Sequence, residues 1–197
     1  MKISVSTQAY WPYIGVFLAL LIMVYIWLDG LALSEPRPLI LLLFASVMFY
    51  HFELHIFPGG FNRWMNKSIF SSRVANTPLN RQRSFVIDAV ILWSLTGWAT
   101  LLSSTQVWLG AVCLFLFLNR AWFHLSSTIT SGHYSPGLIV SVILFIPLTG
   151  YVSHLAINEQ WLGWSGLTGA VVVGTLLHTL LFIVLRLLVK KDAKRGL

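Results

Sequence analysis

Six runs of apolar residues, at Trp11–Leu28, Pro38–Phe57, Ser84–Leu102, Val107–Ser126, Pro136–Ala156 and Ser165–Val189, alternate with polar segments along the chain. Each is close to the roughly 20 residues that an α-helix needs to cross a hydrocarbon core. Lipid offers backbone amides no partner, so each run must close its own hydrogen bonds as a helix. The alternating strands of about ten residues that build a membrane barrel are absent. The pattern predicts an all-α fold, a polytopic membrane helix bundle of six transmembrane helices forming one domain over residues 1–197. Its connections are short apart from segment 58–83, and no internal repeat or low-complexity tract divides it.

Composition supports the same class, since 57% hydrophobic against 10% charged residues lies outside the range of soluble domains. The lone cysteine, Cys113, falls inside an apolar run and reads as a packing residue without a disulfide partner. Ala32-Leu33-Ser34 has the look of a signal-peptide cleavage site. The preceding apolar run is too long for a leader, and Lys2 is the only positive charge before it, so the run is read as a retained span.

The formal net charge of +7 is concentrated in two places. Arg63, Lys67, Arg73, Arg81 and Arg83 lie between the second and third runs, and Lys190, Lys191, Lys194 and Arg195 follow the sixth. The opposite connections hold Arg37 among acidic Asp29, Glu35 and Glu159. Positive loops stay in the cytoplasm, which predicts an N-in/C-in topology with a cytoplasmic 58–83 loop. Charges placed beside membrane-crossing runs meet anionic lipid headgroups, so membrane lipid, not nucleic acid, is the expected partner.

Polar residues inside the runs are costly and mark candidate chemistry. His51, Asn119 and His178 each lie about 12 or 13 residues into a run that descends from the outer side, roughly 20 Å deep at a rise of about 1.5 Å per residue. His55 and His124 lie about one turn nearer the cytoplasm, Glu53 sits between the two span-two histidines, and Asp88 stands near the cytoplasmic start of span three. A convergent polar cluster in the cytoplasmic half of the bundle is the expectation. His51 and His55 share a helix face, whereas Glu53 is about 200° round from His51. Arg120 reads as a counter-ion for Glu53 or Asp88, or as a side chain that snorkels inward.

The string His51-Phe52-Glu53-Leu54-His55-Ile56-Phe57-Pro58-Gly59-Gly60-Phe61 resembles the helix end and Pro-Gly-Gly-Phe turn of the HXXEE family of small bacterial integral membrane proteins. Asn119 with His124, followed by Tyr134-Ser135-Pro136-Gly137, is similar to that family's polar helix and its Tyr-Ser-Pro-Gly turn. With His178, the resemblance extends from about the second span onward. It implies an inner (plasma) membrane bundle with a shared polar site, and it supplies no reaction. A strict His-x-x-Glu-Glu beginning at His51 would place glutamates where Leu54 and His55 stand, leaving Glu53 to take the role of a family glutamate.

His51, Glu53, Asn119, His124 and His178 are the candidate catalytic residues. The histidines read as bases or ligands, Glu53 as proton carrier or anionic ligand, and Asn119 as an orienting donor. The leading reading is an enzyme acting on a lipid-like or hydrophobic small-molecule substrate by metal-assisted or acid–base chemistry. A divalent metal, iron, zinc or manganese, would draw on imidazoles from His51, His55, His124 or His178 and a carboxylate from Glu53 or Asp88. The alternatives are a proton- or ion-linked small transporter, for which no inverted repeat is visible, and a non-catalytic structural or binding protein whose histidines join helices. Trp11, Trp64, Trp108, Trp161 and Trp164 read as interfacial anchors. Segment 62–82 reads as an amphipathic loop, Tyr134 as a cap over the polar cluster, Pro136 as a first-turn residue of span five, and Pro147 as a kink within it.

Overall fold

The structure, a computed structural model, describes residues 7–71 and 77–194; Lys2, Arg73 and Arg195 of the charge pattern lie outside the described residues. It is 81% helical and contains no strand among the described residues. Six helices are long and apolar enough to cross a membrane. They are α1 (Thr7–Leu28), α2 (Pro36–His55), α4 (Arg81–Leu101), α5 (Val107–Ser131), α6 (Leu138–Asn158) and α7 (Trp164–Lys194). A short helix, α3 (Phe61–Trp64), runs on as a wide π turn over Met65–Ile69, so segment 58–83 is partly helical where a loop is expected.

The helix ends follow local chemistry more closely than hydropathy. Pro58 disfavours helical geometry at Phe57, and α2 stops at His55, two residues before its apolar run ends. The Asn80 side chain accepts the Arg83 N–H at 2.9 Å and starts α4 at Arg81, ahead of the apolar residues. Ser126, Thr130 and Ser131 return their hydroxyls to carbonyls three or four residues back, which carries α5 to Ser131. Pro136 lies before the cap of α6, not in its first turn, because Gly137 is the cap residue. The distortion expected at Pro147 takes the form of a π turn over Ser141–Phe145, which holds Ile143, the residue whose carbonyl a proline four positions on would strike.

The central helices are α2 and α5, whose apolar spans are 67% and 61% buried against 11% for α7. Leu39, Leu43, Val47, Tyr50 and Leu54 form a buried stripe on α2 that packs with Cys113, Leu116, Phe117 and Ala121 of α5 and Phe145 of α6. α7 lies against α5 at Gly174, where a Cβ would come within 2.8 Å of the backbones of Leu116 and Val112. This close approach is what the glycine-rich start of α7 allows. Ile14, Phe17 and Leu21 on α1 and Leu176, Leu180 and Ile183 on α7 are exposed, as suits helices that face lipid.

One end of the bundle collects the connection 56–80, the turn 132–137 and the end of α7. Tyr134 reaches Glu53 there, and Arg83 grips Asp192 through two bonds of 2.6 and 3.2 Å. Arg63, Lys67, Arg81, Lys190 and Lys191 share this end.

Candidate functional site

The last two turns of α2 carry polar groups on opposite faces, and the two faces meet different neighbours. Toward α1 and α4, His55 Nε2 bonds Asp88 Oδ2 at 2.9 Å. His51 Nε2 faces the other oxygen of Asp88 at 3.5 Å, and Arg120 Nη1 approaches that oxygen at 3.8 Å. The Trp93 indole N–H donates to His51 Nδ1 at 2.9 Å. That bond assigns the His51 proton to Nε2, directed at Asp88. Trp11 closes the group from α1, with ring centroids 5.1 Å from His55 and 5.6 Å from His51.

His55 differs from its neighbours in access. Its side chain is 13% exposed, whereas those of His51 and Asp88 are 0% and 4% exposed. It lines a cleft of about 330 Å³ bounded by Trp11 and Pro12 of α1, Leu54 and Ile56 at the end of α2, Phe61, Asn62 and Arg63 of α3, and Arg81 and Ser84 of α4. With Nε2–H committed to Asp88, Nδ1 is the nitrogen that keeps a lone pair.

Toward α5 and α6, both oxygens of Glu53 and both nitrogens of His124 have partners, while the buried Ser141 Oγ on α6 has none among the described residues. Glu53 Oε1 accepts the Tyr134 hydroxyl and the N–H groups of Gly137 and Ile139 at 3.0 and 2.9 Å, and Oε2 accepts Val140 N–H at 2.7 Å. The carboxylate thus supplies from α2 the N-terminal cap that α6 lacks in its own sequence. Burial, then the bond to Glu53, raises the pKa of Tyr134, so the phenol remains a donor. Beside it, Tyr50 Oη lies 2.7 Å from His124 Nε2, and His124 Nδ1 lies 2.7 Å from Ser135 Oγ. Phe61, Trp64 and Phe123 rings enclose His124. Gly137, at φ +101°, brings the turn so close that a Cβ would meet the Tyr50 ring at 2.7 Å and His124 Nε2 at 3.0 Å.

The model of a family of proteins of unknown function with an HXXEE motif matches residues 41–152, more than half of the chain. The chain belongs to the HXXEE family. No curated protein matches it, and neither does any solved structure. The HXXEE match takes in α2, α4, α5 and most of α6, hence both faces just described, and leaves out Trp11 and His178. If Glu53 is the first glutamate of the motif, the histidine position falls on Tyr50 and the second glutamate on Leu54. In that register a phenol stands at the HXXEE histidine position, and the Tyr50 phenol lies against His124.

The sequence-derived candidates do not form one cluster. His51 joins His55 and Asp88, while Glu53 and His124 belong to the opposite face. Asn119 donates to Phe115 O at 2.7 Å and Thr175 Oγ1 at 3.1 Å, tying α5 to α7 without touching a histidine. His178 is tilted against Phe182, one turn on along α7, lies close enough to His124 and Arg120 to interact electrostatically, and its buried Nδ1 has no hydrogen-bond partner among the described residues. The structure does not bring the metal set of His51, His55, His124, His178 and Glu53 together. Glu53 spends its oxygens on the α6 cap, His124 spends both nitrogens on Tyr50 and Ser135, and no group of three or more His, Cys, Asp or Glu among the described residues is arranged to hold a metal. Arg120 is buried beside Asp88, not beside Glu53, and does not snorkel.

Sequence reasoning passed over Trp11, Tyr50, Trp93 and Ser135. Trp11 is buried against the His55 group instead of anchoring at the interface. Tyr50 was open to discovery by counting the HXXEE motif back from Glu53. Ser135 and Trp93 carry no signal of their own, since serine in a turn and tryptophan in an apolar run are both commonplace.

Proposed function

We propose that this HXXEE-family chain is an enzyme of the bacterial inner membrane that performs acid–base chemistry on a lipid-like substrate. In this reading both termini face the cytoplasm and the cleft opens at the cytoplasmic leaflet. The observation that carries the proposal is the His55–Asp88 pair, an imidazole at the floor of a cleft oriented by a buried carboxylate. Asp88 fixes the ring so that Nδ1 accepts a proton from the substrate, and it stabilises the imidazolium formed; the same proton returns to product. His51, aligned by Trp93, holds the second oxygen of Asp88 in place. Glu53, His124 and Asn119 have a structural part in this reading, tying α5, α6, α7 and the 132–137 turn into the bundle.

Of the buried ionisable groups of the described residues, Tyr50, His51, Glu53, Asp88, Arg120, His124 and Asp192 are in the half of the bundle next to the basic end, and the Cys113 thiol alone lies in the other half. That distribution supports an enzyme over a transmembrane proton relay, which would need groups in the other half as well. The test is untargeted lipid mass spectrometry of bacterial membranes containing the wild type, His55→Ala or Asp88→Asn. Wild type is expected to deplete one lipid species and enrich another, with both changes absent in the variants. An unchanged lipid profile with wild type, or the same change with correctly inserted His55→Ala, would overturn the reading.

A further inference from the structure

The cleft in front of His55 has an electrostatic bias that its apolar walls do not predict. Arg63 and Arg81 line it, are exposed, and have no ion-pair partner among the described residues. Asn62 Oδ1 is occupied by the Ser84 hydroxyl at 2.7 Å, so the Asn62 amide has only its N–H donors left to offer. Among the described residues, no acidic side chain lines the cleft. Two guanidinium forks and an amide donor with no competing carboxylate describe a receptor for a small, multiply charged anion.

Apart from Gln8 and Ser84, the remaining walls are apolar. Trp11 and Pro12 belong to α1, whose other faces expose Tyr13, Ile14 and Phe17, and Leu54, Ile56 and Phe61 complete the surround. A volume of about 330 Å³ holds roughly ten water molecules at about 30 Å³ each. That accommodates a phosphate and a glycerol-sized group but not two acyl chains, which would stay in the lipid beside α1.

We infer that the cleft binds the headgroup of an anionic phosphate-bearing amphiphile, with Arg63 and Arg81 on the phosphate and the polar–apolar junction of the ligand facing His55. This rests on the acid–base reading only for what becomes of the ligand; binding stands without it. A lipid phosphate and free phosphate share the recognised chemistry, and the chain distinguishes them. A second cleft lies on the far side of α3, lined by Arg63, Trp64, Lys67, Ser68 and Tyr134. Lys67 therefore serves as a control for charge at the same end but outside the His55 cleft.

The experiment is native mass spectrometry of the full chain in detergent, titrated with dioctanoyl phosphatidic acid, dioctanoyl phosphatidylcholine or inorganic phosphate. Wild type is expected to bind the phosphatidic acid at least about tenfold more tightly than either other probe. The Arg63→Ala/Arg81→Ala double variant should lose about tenfold or more, Arg63→Lys/Arg81→Lys should recover most of it, and Lys67→Ala should bind as wild type does. Equal binding of phosphatidylcholine, equal binding of inorganic phosphate, or an unaffected double-alanine variant would overturn the inference. Retained binding with no lipid turnover by wild type would sink the acid–base reading alone, whereas turnover that is indifferent to both arginines would sink this one alone.

Discussion

The two faces of the last turns of α2 carry similar residues and reach opposite ends. On one, Tyr50 and Glu53 meet His124, Ser135 and the start of α6, and Glu53 and His124 have all their oxygens and nitrogens engaged. On the other, His51 and His55 meet Asp88 with a nitrogen to spare, an imperfect contact of 3.5 Å and a cleft in front. Burial of an ionisable group is common to both, so burial does not identify a site. What separates them is unused hydrogen-bonding capacity next to a space that a ligand can enter. A fully satisfied network fixes geometry, and a partly satisfied one, held by that geometry, has something left to give.

The sharpest way to break this contrast is to remove one residue from each face. His55→Ala should abolish the lipid change, a loss of about 10²- to 10⁴-fold in turnover, while the protein melts near the wild-type temperature in detergent. Glu53→Ala should do the reverse. It leaves three backbone N–H groups and a phenol without an acceptor, costing about 3 to 5 kcal/mol of stability, measured by thermal or denaturant unfolding. Turnover per folded molecule should survive in that variant. If Glu53→Ala folds normally and loses turnover, the closed face is the catalytic one.

How far each face was legible in the sequence follows from what a one-dimensional pattern records. Six helices could be read because a bilayer demands long apolar runs, and the run positions set depth through the helical rise. Depth is not direction. Asn119 lies at the level of His51, yet the azimuth of α5 turns it toward Thr175 of α7 and away from the histidines. Within one helix the azimuth is readable, so the separation of His51 and His55 from Glu53 was available. The choice of Asp88 and Trp93 as partners depends on how α4 is rotated against α2, which no local pattern encodes. Trp11 shows the same limit, because a boundary position suits an anchor and a cleft wall equally.

Gly137→Ala sharpens the comparison by disturbing the closed face alone. The residue is held at φ +101°, and a Cβ there would press on Tyr50, Leu54 and His124. Backbone strain and overpacking together should cost about 2 to 3 kcal/mol, read as a lower melting temperature with phosphatidic acid binding preserved. Tyr50→Phe should cost less, about 1 to 2 kcal/mol, since it removes one buried hydrogen bond and orphans His124 Nε2. A Tyr50→Phe variant as stable as wild type would mean that the bond to His124 contributes nothing net and that the closed face is held by the α6 cap alone.

The smallest effect belongs to Tyr134, where the closed face reaches the surface. Its phenol is 39% exposed and donates to Glu53, and burial followed by that bond raises its pKa above the ordinary value. A raised folded-state value means that the native state holds the proton more tightly than the unfolded chain does. The stabilisation is therefore complete below the ordinary phenol value of about 10 and is lost progressively as pH rises beyond it. Wild type should melt slightly above Tyr134→Phe from neutral pH to about pH 10, and the margin should shrink in more alkaline solution, where only wild type has a phenol to ionise. Solvent screening at this exposure keeps the difference small. A margin that is constant across that range would show that Tyr134 contributes packing and no hydrogen bond, which would leave Glu53 held by the backbone of α6 and would move the edge of the closed face inward by one residue.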